Sequence, residues 1–180
     1  VFRWAPPAAG ALEGHTVLVT GPTSGLGLAA AVTLADLGAR VVLAGRSEER
    51  LALLRDELVL RHGEDRFPTV VVDMGSLGSV RAAAARIRAT ETRLDVVVDN
   101  AGAIYPERLE GPDGIEMTFA ILVVAPFLLV AELLPMLRAT PSSRVIAVTS
   151  GGMYAQRLDL DDLEYRTGAY SGTRAYARAK

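Results

Sequence analysis

Short apolar runs alternate with longer stretches in which apolar residues recur at helical spacing. Thr16–Thr20 (Thr-Val-Leu-Val-Thr) is a β-branched run bounded by a glycine-rich turn, and similar runs lie at 40–44, from Val70, at 94–98 and at 144–149. Between them the pattern predicts helices at 25–37, 47–62, from Ser76 or Ser79 to near Ala89, at 113–138 and at 172–180. Local chemistry agrees with these bounds. Gly38 closes the first helix, Ser47 stands as N-cap of the second with Glu48 and Glu49 in its first turn, and Asp113 sits near the start of the long helix. The strand runs are short and almost wholly apolar, as in strands covered on both faces. Strand and helix alternating in this way predict an α/β fold, a doubly wound parallel sheet. Residues 1–14 are expected to form an N-terminal tail and residues 15–180 one domain, incomplete at its C-terminal end because the chain stops inside the last helix.

Residues 119–131 are thirteen consecutive apolar positions. A run of this length suits a buried helix better than a membrane span. Pro126 should kink it, and its surface is a candidate contact with a second subunit. The 180 residues are half hydrophobic and carry a net charge of −2, which argues against a nucleic-acid surface. There is no cysteine, so disulfides, thiolate metal sites and cysteine nucleophiles are excluded, and no metal site is expected. His15 and His62 are expected as surface or loop residues. The first fourteen residues lack a compact apolar core followed by a cleavage site, so a cytoplasmic location is expected. Of the 19 basic residues, Lys180 is the sole lysine. Arginine does not replace lysine where a compact titratable charge is needed, which draws attention to its surroundings.

Two segments carry chemistry. After the first strand comes Thr20-Gly21-Pro22-Thr23-Ser24-Gly25-Leu26-Gly27, and then a helix. Glycines permit a sharp turn and close backbone approach, and the helix N-terminus offers free N–H groups to a pyrophosphate. At the other end, Tyr176-Ala177-Arg178-Ala179-Lys180 places a phenol and an ammonium on one helix face. The ammonium stabilises the phenolate, so the tyrosine can exchange a proton with a carbonyl or carbinol oxygen.

The glycine turn matches the T-G-x-x-x-G-x-G pattern of the short-chain dehydrogenase/reductase family without a gap, and the resemblance runs to the Tyr-x-x-x-Lys segment. Within that family the chain looks most like the retinol-dehydrogenase-like branch and its bacterial relatives. The resemblance implies a Rossmann domain lacking its last strands and the substrate-covering loop. It also implies a nicotinamide cofactor held by Gly21, Thr23, Ser24, Gly25, Leu26, Gly27, Asp73, Met74, Asn100, Ala101, Gly102, Tyr176 and Lys180. Gly45 stands where NAD-preferring members carry an acid, and Arg46 can pair with a 2′-phosphate, so NADP(H) is expected over NAD(H). Catalysis is implied for Ser150, Tyr176 and Lys180: the serine orients the substrate oxygen, the tyrosine exchanges the proton, and the lysine tunes the tyrosine. The implied partner is a small carbonyl or alcohol substrate, and a homo-oligomer is compatible with the family.

Two positions depart from the family pattern. Asp99 replaces the first asparagine of N-N-A-G. Leu122 and Ala125 replace the asparagine and glycine of F-x-x-N-x-x-G-x-F, so the water that links lysine to solvent in the family's proton relay has no such partner. The acidic stretch containing Asp159, Asp161, Asp162 and Glu164 reads as a solvated insertion, and Tyr154 and Tyr170 as loop or packing tyrosines. The expected activity is hydride transfer between NADP(H) and a carbonyl or alcohol. The alternatives are a nucleotide-binding protein with impaired catalysis and a truncated, nonfunctional product.

Overall fold

The computed structural model of the protein describes residues 7–63 and 66–180. Strands β1 (Thr16–Thr20), β2 (Arg40–Gly45), β3 (Thr69–Val71), β4 (Val96–Asp99) and β5 (Arg144–Ala147) form a parallel sheet in the order β3-β2-β1-β4-β5. Helices α1 (Gly25–Asp36), α2 (Glu48–His62), α3 (Leu77–Thr90), α4 (Met117–Ala139) and α5 (Gly172–Ala179) connect or follow them. This is the doubly wound arrangement that the alternating pattern predicts.

The two-residue period of the strands sorts their side chains onto opposite faces. Val17, Val19, Val41 and Leu43 join Ala31 and Ala35 of α1 and Leu51, Leu54 and Leu58 of α2. Leu18, Val42 and Val97 face the other way, onto Val80, Ala84 and Ile87 of α3 and onto Ile121, Ala125, Leu129 and Leu133 of α4. β1 lies in the middle of the sheet, and all five of its residues are buried. β5, at one edge, is exposed along its whole length.

The long helix starts at Met117, not Asp113, because the chain before it is used otherwise. Gly111 N–H donates to the Ile115 carbonyl, and Glu110 and Glu116 form an isolated antiparallel bridge. Asp113 caps a different helix, accepting from Leu77 N–H at the start of α3 (2.8 Å). The cap of α4 is Glu116, which is 1% exposed and accepts from the N–H groups of Thr118 and Phe119. The helix then widens into a π turn over Ala120–Val124, closed by Ala125 N–H on the Ala120 carbonyl. The widening sits immediately before Pro126, which has no N–H and whose ring crowds the turn behind it.

By length and composition α4 is apolar enough to cross a membrane. In the fold, Ile121, Leu122, Ala125, Leu129, Leu133 and Leu137 lie in the core, whereas Phe127 on another face is 77% exposed. Burial therefore holds for one face only. Strand ends also differ from expectation. β4 runs from 96 to 99 and β5 stops at Ala147. Val72 lies beyond the end of β3.

His62 is half-buried rather than freely exposed. Its side chain is only 13% exposed, its ring lies 5.7 Å from that of Phe67, and its Nε2 is 3.4 Å from Asp36. The expected N-terminal tail lies partly outside the described residues. Its later part belongs to the domain, since Leu12 packs on the α1–α2 core and its N–H donates to the Leu37 carbonyl (2.9 Å).

Glu116 also accepts from the Tyr170 hydroxyl (2.9 Å), so removing its carboxylate takes an acceptor from donors on two segments. Replacing Glu116 by Ala should lower the unfolding free energy by about 3 kcal/mol, which urea denaturation would read.

Candidate active site

The turn between β1 and α1 depends on its glycines. Gly21 and Gly25 have φ of +66° and +55°, in the left-handed region that favours glycine. Gly27 has an ordinary φ but no room, because a Cβ there would lie 2.2 Å from the Gly21 carbonyl oxygen. Ser24, at the N-cap of α1, makes no side-chain hydrogen bond to the first turn. The N–H groups of that turn thus keep the free donors and positive dipole end that suit a phosphate.

This turn is tied to the end of β4. Thr20 is fully buried, and its Oγ1 accepts from the N–H groups of Asn100 and Ala101, both at 3.0 Å. The Asn100 side-chain amide donates to the carbonyls of Thr20 (3.0 Å) and Gly21 (3.3 Å). Asn100 therefore locks the glycine turn to the neighbouring strand.

A cleft of about 390 Å³ opens between these elements. Of the expected cofactor residues, Gly21, Thr23, Ser24, Leu26, Arg46, Asp73, Met74, Asn100, Ala101 and Gly102 line it. Gly25 and Gly27 shape the turn behind it. Tyr176 and Lys180 lie outside its lining. Gly45 opens onto the cleft, so no acid stands there, and Arg46 is exposed at its rim. Asp73 accepts from Gly75 N–H (2.9 Å) through Oδ1, while its backbone N–H donates to Ser79.

Sequence reasoning missed Arg50, which shares the cleft with Arg46 and donates to the Thr23 carbonyl (2.9 Å). The signal was available, since Arg46 and Arg50 are four residues apart around the start of α2. It also missed Thr20, whose role arises from contacts some 80 residues away in sequence.

α5 brings Tyr176 and Lys180 to the same end of the sheet. It starts against Tyr105, where Gly172 has no space for a side chain, because a Cβ would lie 1.9 Å from the Tyr105 carbonyl oxygen. Lys180 Nζ donates to the Val148 carbonyl and lies 5.9 Å from the Tyr176 ring centre. Burial lowers the lysine below its ordinary value, and the field of Asp99 opposes that. Asp99 is pushed up to about 6, chiefly by burial, against the stabilising effects of Lys180 and of a hydrogen bond from Thr20.

Ser150 N-caps a short 3₁₀ turn (Gly151–Ala155), its Oγ accepting from Gly152 N–H (3.2 Å). That acceptance leaves the hydroxyl proton available to a substrate oxygen. A second cleft, of about 290 Å³, is lined by Tyr176, Ile104, Ala155, Gln156, Ala177 and neighbours. Leu122 is buried and packs toward Gly102, presenting no polar atom at the position where the family pattern carries asparagine.

The acidic insertion is only partly solvated. Glu164 accepts from Glu116 N–H (3.1 Å) and pairs with Arg166, so it fastens this segment to the start of α4. Tyr170 is a packing residue, hydrogen-bonded to Glu116 and edge-on to Tyr165. Tyr154 is 85% exposed.

The family model described as short chain dehydrogenase matches residues 15–157. The chain belongs to the short-chain dehydrogenase family. Similar curated proteins include dehydrogenase/reductase SDR family member 13 of Bos taurus, 38% identical over 98% of this chain and 47% of the relative. Human retinol dehydrogenase 13 is 34% identical over 98% of this chain and 53% of its own length. These relatives place the chain in the retinol-dehydrogenase-like branch, and it spans about half their length. Among solved structures, an Escherichia coli CFT073 protein complexed with NADPH aligns with a TM-score of 0.77 at 27% identity, covering 96% of this chain and 68% of that one. The oxidoreductase yciK of E. coli aligns at 0.78 and 27% identity, covering 97% and 68%.

Gly27→Ala must displace the Gly21 carbonyl. The expected cost is about 2 kcal/mol in stability. Nicotinamide-nucleotide affinity should fall by about tenfold or more, as read by fluorescence titration.

Proposed function

We propose that this short-chain dehydrogenase transfers a hydride between NADP(H) and a carbonyl or alcohol. The observation that carries the reading is the cleft at the glycine turn, lined by Arg46 and Arg50 with no acid at Gly45. The residues present fit a dinucleotide. Gly21 and Gly27 let the turn close against Asn100 and Ala101 with no side chain between, and the α1 N-terminus opens onto the cleft with free donors. Gly21, Thr23, Ser24, Gly25, Leu26 and Gly27 would hold the pyrophosphate. Asp73 and Met74 would meet the adenine, and Asn100, Ala101 and Gly102 would line the cleft floor. Arg46 would pair with a 2′-phosphate, a charge-assisted contact that NAD(H) cannot offer.

A nicotinamide bound there supplies or accepts the hydride. The protein's own part is the proton and the positioning. In the reducing direction Tyr176 gives its hydroxyl proton to the carbonyl oxygen as that oxygen gains charge, while Ser150 donates a hydrogen bond to the same oxygen. The positive charge of Lys180 stabilises the phenolate left behind. Lys180 would also hold the nicotinamide ribose.

A second reading, a nucleotide-binding protein with impaired catalysis, is favoured by one observation: Leu122 puts hydrocarbon where the family pattern has a water-binding amide.

Titration with NADPH and NADH, followed by turnover with a panel of aldehydes and ketones, separates the two. Arg46→Ala should weaken NADPH binding by roughly tenfold or more and leave NADH nearly unchanged. Equal losses for both would overturn the cofactor preference. Tyr176→Phe should cut turnover by roughly 10²–10⁴ while sparing NADPH binding, and retained turnover would remove Tyr176 from the mechanism. A chain that binds NADPH yet reduces nothing in the panel would support the second reading.

A further inference from the structure

One titratable group beside Lys180 has no part in the proposed chemistry. Asp99 ends β4, and the chain holds it from two sides. On the β5 side, Val148 N–H donates to the Asp99 carbonyl (2.9 Å), and the carbonyl of the same Val148 accepts from Lys180 Nζ. A single residue therefore links the backbone of Asp99 to the ammonium of Lys180. On the β1 side, Thr20 Oγ1 lies 3.3 Å from Asp99 Oδ1. That hydroxyl already accepts from two backbone N–H groups, so its own proton is left to donate, to Asp99 or to the nearby Val98 carbonyl (3.4 Å).

Among the described residues, the groups facing Asp99 come from three sides. β1 presents the uncharged Thr20 hydroxyl and the β5 side presents the Val148 backbone. α5 presents Lys180 with its phenol partner Tyr176. Lys180 is the charged group whose field acts on Asp99, and Asp99 is the one whose field acts on Lys180. Asp99 and Lys180 are both partly buried, and the field of each acts on the other, so their protonation is coupled.

We propose that Asp99 is the counter-charge of Lys180, a positioning residue that steadies the ammonium over the ends of β4 and β5 and sets how strongly it acts on the Tyr176 phenol. The catalytic meaning of this assignment rests on the hydride-transfer reading. The electrostatic coupling of the two groups, which Val148 holds side by side without a direct ion pair, does not. Ionised Asp99 favours the charged form of Lys180 and cancels part of its field at Tyr176. Neutral Asp99 leaves the ammonium less supported but its field at the phenol undiminished. The change falls near pH 6, where burial places the Asp99 carboxyl.

Lys180 is the sole lysine of the chain, so a [¹³Cε]lysine label yields one side-chain signal, assigned without ambiguity. Its chemical shift would be followed from pH 5 to pH 11 in the protein and in Asp99→Asn. The substitution keeps the shape and an acceptor oxygen for Thr20 and removes only the charge. In the unmodified protein the signal should show a small inflection near pH 6, from Asp99, besides the main alkaline titration. In Asp99→Asn the inflection should vanish and the main titration should move to lower pH.

Superimposable curves for the two proteins would overturn the proposal, because a purely structural role through Thr20 survives in the variant. Should circular dichroism show Asp99→Asn unfolded, the unmodified protein decides alone: a signal with no inflection near pH 6 overturns the proposal, and its presence supports it. No nicotinamide and no substrate is used. Failure of the hydride-transfer reading would appear as absent turnover with the coupled titration intact. Failure of the counter-charge would appear as an uncoupled titration whatever the turnover.

Discussion

The architecture of the site depends on a buried hydroxyl at the point where the sheet changes direction. β1 has β2 on one side and β4 on the other, and the connections leaving β1 and β4 go to opposite faces. Parallel sheets open a crevice at such a reversal. The backbone at the end of β4 has left the ladder there, and its N–H groups need an acceptor. The Thr20 hydroxyl takes two of them, and Asn100 returns its side-chain amide to the carbonyls of Thr20 and Gly21. A buried donor left unpaired costs roughly 1–3 kcal/mol, so this small knot carries more weight than its size suggests. It also fixes the Gly21 carbonyl against which Gly27 packs, and with it the start of α1.

A second set of contacts governs the other wall. Glu116 caps α4, accepts from Tyr170 and donates its own N–H to Glu164. The start of α4 and the segment leading into α5 are thereby joined through one buried carboxylate. Tyr176 is carried on α5, whose placement against Tyr105 needs Gly172. The phenol is thus positioned by contacts far from it in sequence. The remaining apolar surfaces are uneven. One side of α4 lies in the core, while Phe127 and β5, including Val145 and Ile146, are open to solvent.

Much of the fold was legible because it is local. Short apolar runs located the strands and helical spacing the helices, since both signals lie in residues close along the chain. Ser47 and Ser76 cap α2 and α3 through hydrogen bonds spanning three residues. The glycine turn was legible for the same reason: positive φ at Gly21 and Gly25 is a property of the turn itself. Less was legible where a local rule had competing partners. Asp113 looked like the beginning of α4 but serves α3, and His62 looked like a surface residue but packs on Phe67.

The sequence by itself determined the α/β alternation, the glycine turn and the presence of a tyrosine and a lysine one helical turn apart, because each is written in residues that are neighbours along the chain. Only the tertiary structure decided that Thr20 and Asn100 join β1 to β4, that Arg50 bonds the Thr23 carbonyl at the cleft, and that Asp99 lies within the field of Lys180. The Arg50 bond bridges 27 residues of chain and the other two pairings about 80. No pattern of local propensity encodes them, since they exist only once hydrophobic burial has closed the intervening loops and brought the strand ends together.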